Sequence, residues 1–259
     1  MRFHLLGIPH TRSHPAFSHC AFTNKVRTLP QLLRAGFDVP PVVFHYGAGA
    51  QDEVPVEAAQ HLEVMTSEVQ HKLLGHAHDD HRRFVGDDAN WDTPCYRIFN
   101  AKLGELLSDT VEDGDLVLLP FGPAHRAALA ELARNRPDRR WLPVEPGIGY
   151  PNPYVAARAY ESWAWYHTVA GRQGSEGSDY WDVVPPWIVD AEWPVVARER
   201  HRVLFMGRQG VTKGAHIVAE LARLMPDVTF TCAGQGRYPE LHELPNVELL
   251  PPLHGAARA

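Results

Sequence analysis

The chain has 259 residues, of which 44% are hydrophobic and 22% are charged, and its formal net charge is −6 at pH 7. This length and apolar content suffice for one large domain or two small ones. The negative charge, with both signs interspersed, gives little electrostatic reason to expect a nucleic-acid partner, so a small-molecule substrate is favoured. No run of about eighteen apolar residues and no signal-peptide pattern occurs, which predicts a cytoplasmic protein without a membrane span.

The first part of the chain alternates short apolar runs with amphipathic stretches, which is typical of a parallel sheet with crossover helices. Strands are predicted in "RFHLLGI", "PPVVFHYG", "LVLLPFG" and "RRWLPVEPGIGY". Helices are predicted in "FTNKVRTLPQLLRAGFDV", "VPVEAAQHLEVMTSEVQHKLLG", "CYRIFNAKLGELLSD", "PAHRAALAELARNRPD" and "NPYVAARAYESWAWYHTVAG", with Gly171 past the end of the last.

Composition changes in "GRQGSEGSDYWDVVPPWIVDAEWPVVARERHR", where Gly and Ser give way to Pro and Trp without a helical period. Beyond it, "HRVLFMG" and "VTFTCAGQG" indicate strands around the helix "KGAHIVAELARLMPD", and "NVELLPPL" is a further candidate strand. The sequence therefore predicts an α/β protein with two Rossmann-like domains. These are residues 1–184 and an incomplete second domain at 201–259, joined by an interdomain connection at 185–200.

The cysteines and the histidine-rich segment at 76–81 are the candidate metal ligands of the chain. Cys20, Cys95 and Cys232 are widely spaced and odd in number, so we expect buried thiols rather than disulfides or a cysteine zinc site. Residues 76–81, "HAHDDH", fit the H-x-H-x-D-H ligand pattern of the metallo-β-lactamase superfamily. In such sites the histidines follow a buried strand, whereas here the helical pattern "SEVQHKLLG" precedes His76. We expect no metal and a solvated loop; a metal-dependent hydrolase that uses His76 and His78 is the distant alternative.

The segment "FMGRQGVTKG" combines Gly207 and Arg208 at the end of an apolar strand with Lys213 and Gly214 at the start of a helix. Backbone N–H groups at a helix N-terminus and two cations on one turn favour an anion such as a diphosphate, and the glycines allow close approach. An ordinary strand-to-helix turn with solvent-facing charges fits these residues equally well.

The stretch "VLFMGRQGVTKGAHIVAELARLMPDVTFTCAGQG" resembles the start of the nucleotide-sugar-binding domain of family 4-like glycosyltransferases of the GT-B fold. The segments "GIPHT", "CAFTNKV", "VEPGIGY" and "YESWAWYH" resemble one branch of that family. The resemblance implies transfer of a sugar from a nucleotide-diphosphate sugar, with retention of configuration and without a metal or other cofactor. It implies that Arg208 and Lys213 bind the donor diphosphate and that the loop of Pro9, His10 and Thr11 faces it.

The chain departs from the family pattern at several places. "GIPHT" replaces the usual Gly-Gly pair, and "DLVLLPFGPAH" lacks a His at the strand end, which leaves His125 as the catalytic candidate there. The family's donor-binding segment with two glutamates would lie beyond Ala259. We therefore expect a truncated transferase; the alternative is a non-catalytic nucleotide- or carbohydrate-binding remnant.

Two glutamates and a group of aromatic residues complete the candidates. Glu145, at the carboxyl end of a strand where open α/β sheets gather ligands, is predicted to orient an acceptor hydroxyl; a turn carboxylate is its alternative. Glu161 is predicted on the aromatic helix, from which it could reach the same end. The helical spacing of Trp163, Trp165 and Tyr166 favours packing over a sugar platform. The sequence identifies neither sugar, base nor acceptor.

Overall fold

The structure is a computed structural model that describes residues 1–18, 20–54, 56–74, 92–173, 180–187 and 200–253. The described residues divide into two compact units, a larger one that ends at residue 187 and a smaller one that begins at residue 200. Each unit has its own parallel sheet. Within these ranges no helix is long and apolar enough to span a membrane.

The sheet of the larger unit has seven strands within the described residues. They are β1 (Arg2–Leu6), β2 (Val42–Ala48), β3 (Gln60–Met65), β4 (Leu116–Leu118), β5 (Leu142–Ile148), β6 (Ala157–Tyr160) and β7 (Tyr180–Val183). All neighbours pair in parallel in the order β3-β2-β1-β4-β5-β6-β7. The strand order reverses between β1 and β4, as it does in a dinucleotide-binding Rossmann sheet. Ligands of such sheets bind beyond the carboxyl ends of the strands at this point.

Helices cover the two faces of this sheet. They are α1 (Ala21–Ala35), α2 (Ser67–Leu74), α3 (Pro94–Thr110), α4 (Arg126–Asn135) and α5 (Trp163–Gln173). Successive side chains of a strand point to opposite faces, and β1 shows this division. Leu5 packs in the cluster that contains Val26 of α1, whereas Leu6 packs in the cluster that contains Phe99 of α3 and Leu132 of α4. Both faces of β1 are therefore buried, which explains why the strand is mostly apolar.

The smaller unit consists of β8 (Arg202–Met206), α6 (Ala215–Leu224), β9 (Thr229–Ala233) and β10 (Val247–Leu250), with the strands parallel in the order β10-β9-β8. Ala215 and Ala219 of α6 are fully buried against Cys232 and Leu241. The strands and the helix predicted here are confirmed, and β1 and β8 lie in different sheets.

Two of the predicted elements are wrong. The helix predicted from "VPVEAAQHLEVMTSEVQHKLLG" contains β3 before α2, because pairing with β2 outweighs the local helical propensity. The predicted aromatic helix begins with β6, so α5 starts only at Trp163 and Gly171 lies inside it. The strand β7, which pairs with β6, was not predicted and precedes the predicted connection at 185–200. The domain boundaries stay a prediction, because residues 188–199 lie outside the described part of the chain.

Candidate functional site

The loop after β1 is held from two sides at the carboxyl edge of the larger sheet. The side chain of Gln70, on α2, donates from Nε2 to the carbonyl oxygens of Pro9 (2.6 Å) and Thr11 (3.2 Å). The Thr11 hydroxyl is hydrogen-bonded to the hydroxyl of Thr23 on α1. The backbone and the Thr11 side chain of this predicted donor-facing loop are thus engaged within the larger unit.

His10 forms a pair with Cys20, the residue before α1. Its Nε2 lies 3.3 Å from the Cys20 sulfur, and its Nδ1 lies 2.8 Å from the Tyr96 hydroxyl. Burial raises the pKa of Cys20, but the charge of His10 and hydrogen bonds from His10 and Thr23 outweigh it and lower the pKa to about 7. Cys20, Cys95 and Cys232 are buried thiols outside any disulfide, as expected. The imidazole beside Cys20 is a feature that sequence reasoning missed.

A histidine pair on β2 and β3, of which His45 is buried and His61 is half-buried, was also missed. His61 donates from Nε2 to the Gly49 carbonyl oxygen (2.7 Å), so in a neutral ring its Nδ1 accepts from Nδ1 of His45 (2.9 Å). His45 Nε2 then accepts from the Ser13 hydroxyl (3.0 Å). Burial and the charge of His61 lower the pKa of His45 to about 3. These bonds fix the β1 loop to the edge of the sheet, and the low pKa keeps His45 neutral.

Two glycines, Gly7 and Gly47, leave space for the imidazole ring of His45. A Cβ on Gly7 would lie 2.6 Å from the Tyr46 carbonyl oxygen and 3.2 Å from His45 Nε2, and one on Gly47 would lie 2.7 Å from His45 Cε1. Gly7 directly follows β1 and Gly47 lies near the end of β2. The glycines at the ends of neighbouring strands are the sequence signal from which the buried ring was predictable.

Glu145 is fully buried on β5, and both of its carboxylate oxygens are used. Oε2 accepts from the Tyr150 hydroxyl (2.8 Å), and Oε1 accepts from the N–H groups of Tyr154 (2.8 Å) and Val155 (3.2 Å). The carboxylate also lies directly against Gly122, where a Cβ would overlap it. Burial raises the pKa of Glu145, and these hydrogen bonds oppose the shift. The contacts tie the loop after β5 to the loop after β4.

His125 is also fully buried, in the turn that precedes α4. Asn100 donates from Nδ2 to the Ala124 carbonyl oxygen (2.8 Å), so its Oδ1 accepts from His125 Nδ1 (3.2 Å). His125 Nε2 has no hydrogen-bond partner among the described residues. Burial lowers the pKa of His125 to about 3. The ring is therefore a neutral, enclosed imidazole with one free acceptor nitrogen.

Glu161 is a partly exposed carboxylate, which lies between β6 and α5 rather than on the predicted helix. Lys25 of α1 donates to the Gly147 carbonyl oxygen (2.6 Å) and pairs with Glu161 Oε1 (2.6 Å). Burial lowers the pKa of Lys25, and the charge of Glu161 opposes this. The Glu161 side chain is 20% exposed, and no hydrogen bond to Oε2 comes from the described residues. This oxygen lies against Gly149, where a Cβ would overlap it, and can still accept a hydrogen bond.

The turn between β8 and α6 has a defined backbone in the smaller unit. The N–H of Gly207 donates to the Ala233 carbonyl (2.9 Å), and that of Gln209 donates to the Gln235 carbonyl (2.7 Å). Gly214, with φ +87°, adopts the left-handed conformation that favours glycine just before the helix. Contacts with the end of β9 and one glycine therefore set the shape of the turn.

Most N–H groups at the start of α6 are bonded within the turn, contrary to the expectation that they are open. Gly210 accepts from Lys213 and Ala215, and Gly214 accepts from Ile217 and Val218.

The N–H groups without a hydrogen bond lie mostly in the turn before α6 begins. Within the described residues, no hydrogen bond engages the N–H groups of Val211, Thr212 and His216. Lys213 is exposed and has no ion pair in this part of the chain, and the Arg208 side chain is exposed as well. The turn thus offers N–H groups and cationic side chains to an anion.

The predicted site residues fall into two groups. His10, Thr11, His125 and Glu145 lie in the larger unit, and Gly207, Arg208, Lys213 and Gly214 lie in the smaller one. The segment with His76 and His78 lies outside the described residues. Within the residues that are described, no group of three or more His, Cys, Asp or Glu side chains is placed to hold a metal ion.

Comparison with known proteins gives a likeness of fold. No protein-family model matches the chain, and no curated protein matches it in sequence. A mutant of TarM from S. aureus, in complex with fondaparinux, alpha-GlcNAc-glycerol and UDP, matches with a TM-score of 0.55 and 8% identity, over 96% of this chain and 77% of that chain. At this identity the similarity concerns the fold alone: the chain is α/β with Rossmann-like sheets, as in that protein.

Two further structures match with a TM-score of 0.43 and 12% identity. One is the pneumococcal O-GlcNAc transferase GtfA in complex with UDP and GlcNAc, over 61% of this chain and 37% of that chain. The other is UDP-GlcNAc 2-epimerase from Neisseria meningitidis bound to UDP-GlcNAc, over 100% of this chain and 74% of that chain. The chain thus spans little more than a third of the pneumococcal enzyme.

Proposed function

We propose that the chain is a retaining, family 4-like glycosyltransferase that takes a sugar from a nucleotide-diphosphate sugar. The observation that carries the proposal is the turn between β8 and α6, where unbonded N–H groups lie beside Lys213 and Arg208. The fold likeness to TarM, whose structure contains UDP, supports it. The resemblance of the segment "FMGRQGVTKG" to family 4-like glycosyltransferases points to the same turn.

The chemistry at this turn is stabilisation of the departing diphosphate. As the bond between the anomeric carbon and the phosphate oxygen breaks, negative charge develops on the leaving group. Arg208, Lys213 and the N–H groups of Val211, Thr212 and His216 supply donors for that charge. Each charge-assisted hydrogen bond contributes about 1.5–3 kcal/mol. This scheme requires no metal ion or other cofactor from the protein.

The acceptor side of the proposal uses the carboxyl edge of the larger sheet. Glu161, held by Lys25, accepts a hydrogen bond from the attacking hydroxyl through Oε2. Glu145 and His125 are the predicted catalytic residues. In this scheme they hold the surrounding loops in place and do not touch the substrate, because neither side chain has exposed surface. His10 and Thr11 belong to the loop that their contacts with Tyr96, Cys20 and Thr23 hold in place.

The enclosure of Glu145 and His125 favours one competing function, a binding module without turnover. The two functions are separated by incubating the protein with a panel of nucleotide sugars and acceptor sugars. We expect release of the nucleoside diphosphate and, by proton NMR of the product, an anomeric configuration that matches the donor. Binding of a nucleoside diphosphate without turnover of any nucleotide sugar would support the binding module, and the absence of both would contradict the proposed function.

A further inference from the structure

An aromatic cluster lies on α5 and β7, at the edge of the larger sheet, and all of its members except the half-buried Tyr166 are exposed. It consists of Trp163, Tyr166, His167 and Trp181 and is called the aromatic platform here. The rings of Tyr166 and Trp181 stack with centroids 4.1 Å apart, and Trp163 meets Trp181 edge-on at 5.9 Å. His167 stacks on Trp163 at 6.2 Å. Trp163 is 58% exposed and Trp181 is 38% exposed.

Other tryptophans of the larger unit are used for packing. Trp187 donates from Nε1 to the Thr28 hydroxyl (2.7 Å) and packs on the cluster beneath α1. Trp165 packs against a core cluster. By contrast, no hydrogen bond from a described residue engages the indole N–H of Trp163 or Trp181. The sequence favoured packing for this segment, and the structure separates one packed tryptophan, Trp165, from its exposed neighbour.

Exposed aromatic rings with free polar edges are typical of binding surfaces, because the ring faces are apolar while the N–H or O–H still requires a partner. The apolar face of a sugar ring carries C–H groups that lie against the negative face of an aromatic ring. Its hydroxyls lie at the periphery, where an indole N–H donates. The protein's net charge of −6 disfavours the other stacking ligand, single-stranded nucleic acid.

We propose that the aromatic platform binds the carbohydrate part of the acceptor, with sugar rings stacked on Trp163 and Trp181. This inference rests on the proposed function and assigns the acceptor to the class of glycans. Trp163 follows Glu161 by two residues, so the platform continues directly from the carboxylate that is proposed to meet the attacking hydroxyl. The occupant is therefore a saccharide that extends from the carboxyl edge of the sheet over α5 and β7.

The test is titration calorimetry with short oligosaccharides of glucose and of N-acetylglucosamine. We expect one of these series to bind the parent, and Trp163→Ala and Trp181→Ala each to weaken binding about tenfold or more, which corresponds to about 1.4 kcal/mol. Trp163→Phe retains a ring and should lose less than Trp163→Ala. Phe37→Ala is the matched control, because Phe37 is an aromatic residue with similar exposure, 40%, in another part of the larger unit.

Each outcome has a definite meaning when UDP binding is measured in the same samples. Loss of oligosaccharide binding in the Trp163→Ala, Trp181→Ala double variant, with UDP binding intact, supports the platform. Equal oligosaccharide affinity in that variant, no oligosaccharide binding by the parent, or a dimer that dissociates in the variant would overturn it. Oligosaccharide binding by a parent that binds no nucleoside diphosphate would instead contradict the proposed function and leave the platform standing.

Discussion

The carboxyl edge of the seven-stranded sheet and the turn between β8 and α6 use their polar groups in opposite ways. At the sheet edge, Glu145 accepts three hydrogen bonds and His45 is bonded through both ring nitrogens, with neither side chain exposed. At the turn, Lys213 and several N–H groups face solvent without a partner in the described chain.

This difference shows that residue type alone does not mark a functional group. A buried carboxylate or imidazole that is fully bonded stabilises the loops around it, since breaking one bond leaves a buried group unsatisfied. An exposed cation that makes no contact contributes little to stability and is available to a ligand. The comparison therefore predicts large stability effects at the sheet edge, and binding effects without stability effects at the turn.

The largest expected effect is at Gly122, on which the Glu145 carboxylate rests. Gly122→Ala places a Cβ inside that carboxylate, and the enclosed site has no room to relax. We expect the free energy of unfolding in urea to fall by about 3 kcal/mol or more. Gly171→Ala is the control, because nothing lies within 4 Å of its Cβ position in α5. There the helix should gain about 0.5–1 kcal/mol. Similar urea midpoints for the two variants would refute the assigned packing.

A second effect follows from the enclosed histidines. His45 and His125 have a pKa of about 3 in the folded protein, against about 6.5 in the unfolded chain. As the pH falls, the unfolded chain takes up protons before the folded protein does. The contribution of each buried ring to the free energy of unfolding is therefore fully present above about pH 6.5 and falls towards pH 3 by about 1.4 kcal/mol per pH unit.

Urea unfolding at several pH values between 7 and 4 measures this slope. His125→Asn should lower the slope by the share of one ring. A free energy of unfolding that stays constant from pH 7 to pH 4 would show that these imidazoles are not enclosed as described.

A smaller effect on stability is expected at Glu161, the partly exposed carboxylate that pairs with Lys25. Glu161→Gln keeps the shape but loses the charge facing Lys25, so we expect a loss of about 1 kcal/mol, reduced by the partial exposure of the pair. Turnover with a nucleotide sugar should drop while the affinity for the nucleoside diphosphate stays the same. Equal turnover of the parent and the variant would remove Glu161 from the acceptor side of the scheme.

The sequence predicts elements whose pattern is local and misses those made by distant partners. The apolar runs of β1, β4 and β8 and the helical period of α6 are visible in the chain. By contrast, β3, β6 and β7 are edge or near-edge strands of four to six residues, and pairing with β2, β5 and β6, respectively, decides their conformation.

The same limit applies to the candidate site. The exposure of Arg208 and Lys213 follows from their place in a Gly-rich turn, and the structure agrees with it. The enclosure of Glu145 is different, because it depends on Gly122 and on N–H groups from a loop up to ten residues further along. A side chain near the end of a parallel strand is predicted to lie at the ligand edge, but only its contacts show whether it is open to a ligand.

The central claim is that the turn between β8 and α6 binds the diphosphate of the donor, and titration calorimetry with UDP, ADP and GDP tests it most directly. The Arg208→Ala, Lys213→Ala double variant is compared with Arg202→Ala, Arg223→Ala, which has the same net charge but removes cations paired with Glu248 and Glu240 in the same unit. We expect a nucleoside diphosphate to bind the parent and the control alike, and to bind the double variant about a hundredfold more weakly, which corresponds to about 2.7 kcal/mol. The urea midpoint of the single variant Lys213→Ala should stay close to that of the parent. Equal affinity for the parent and the double variant would contradict the claim and make this turn an ordinary connection between a strand and a helix.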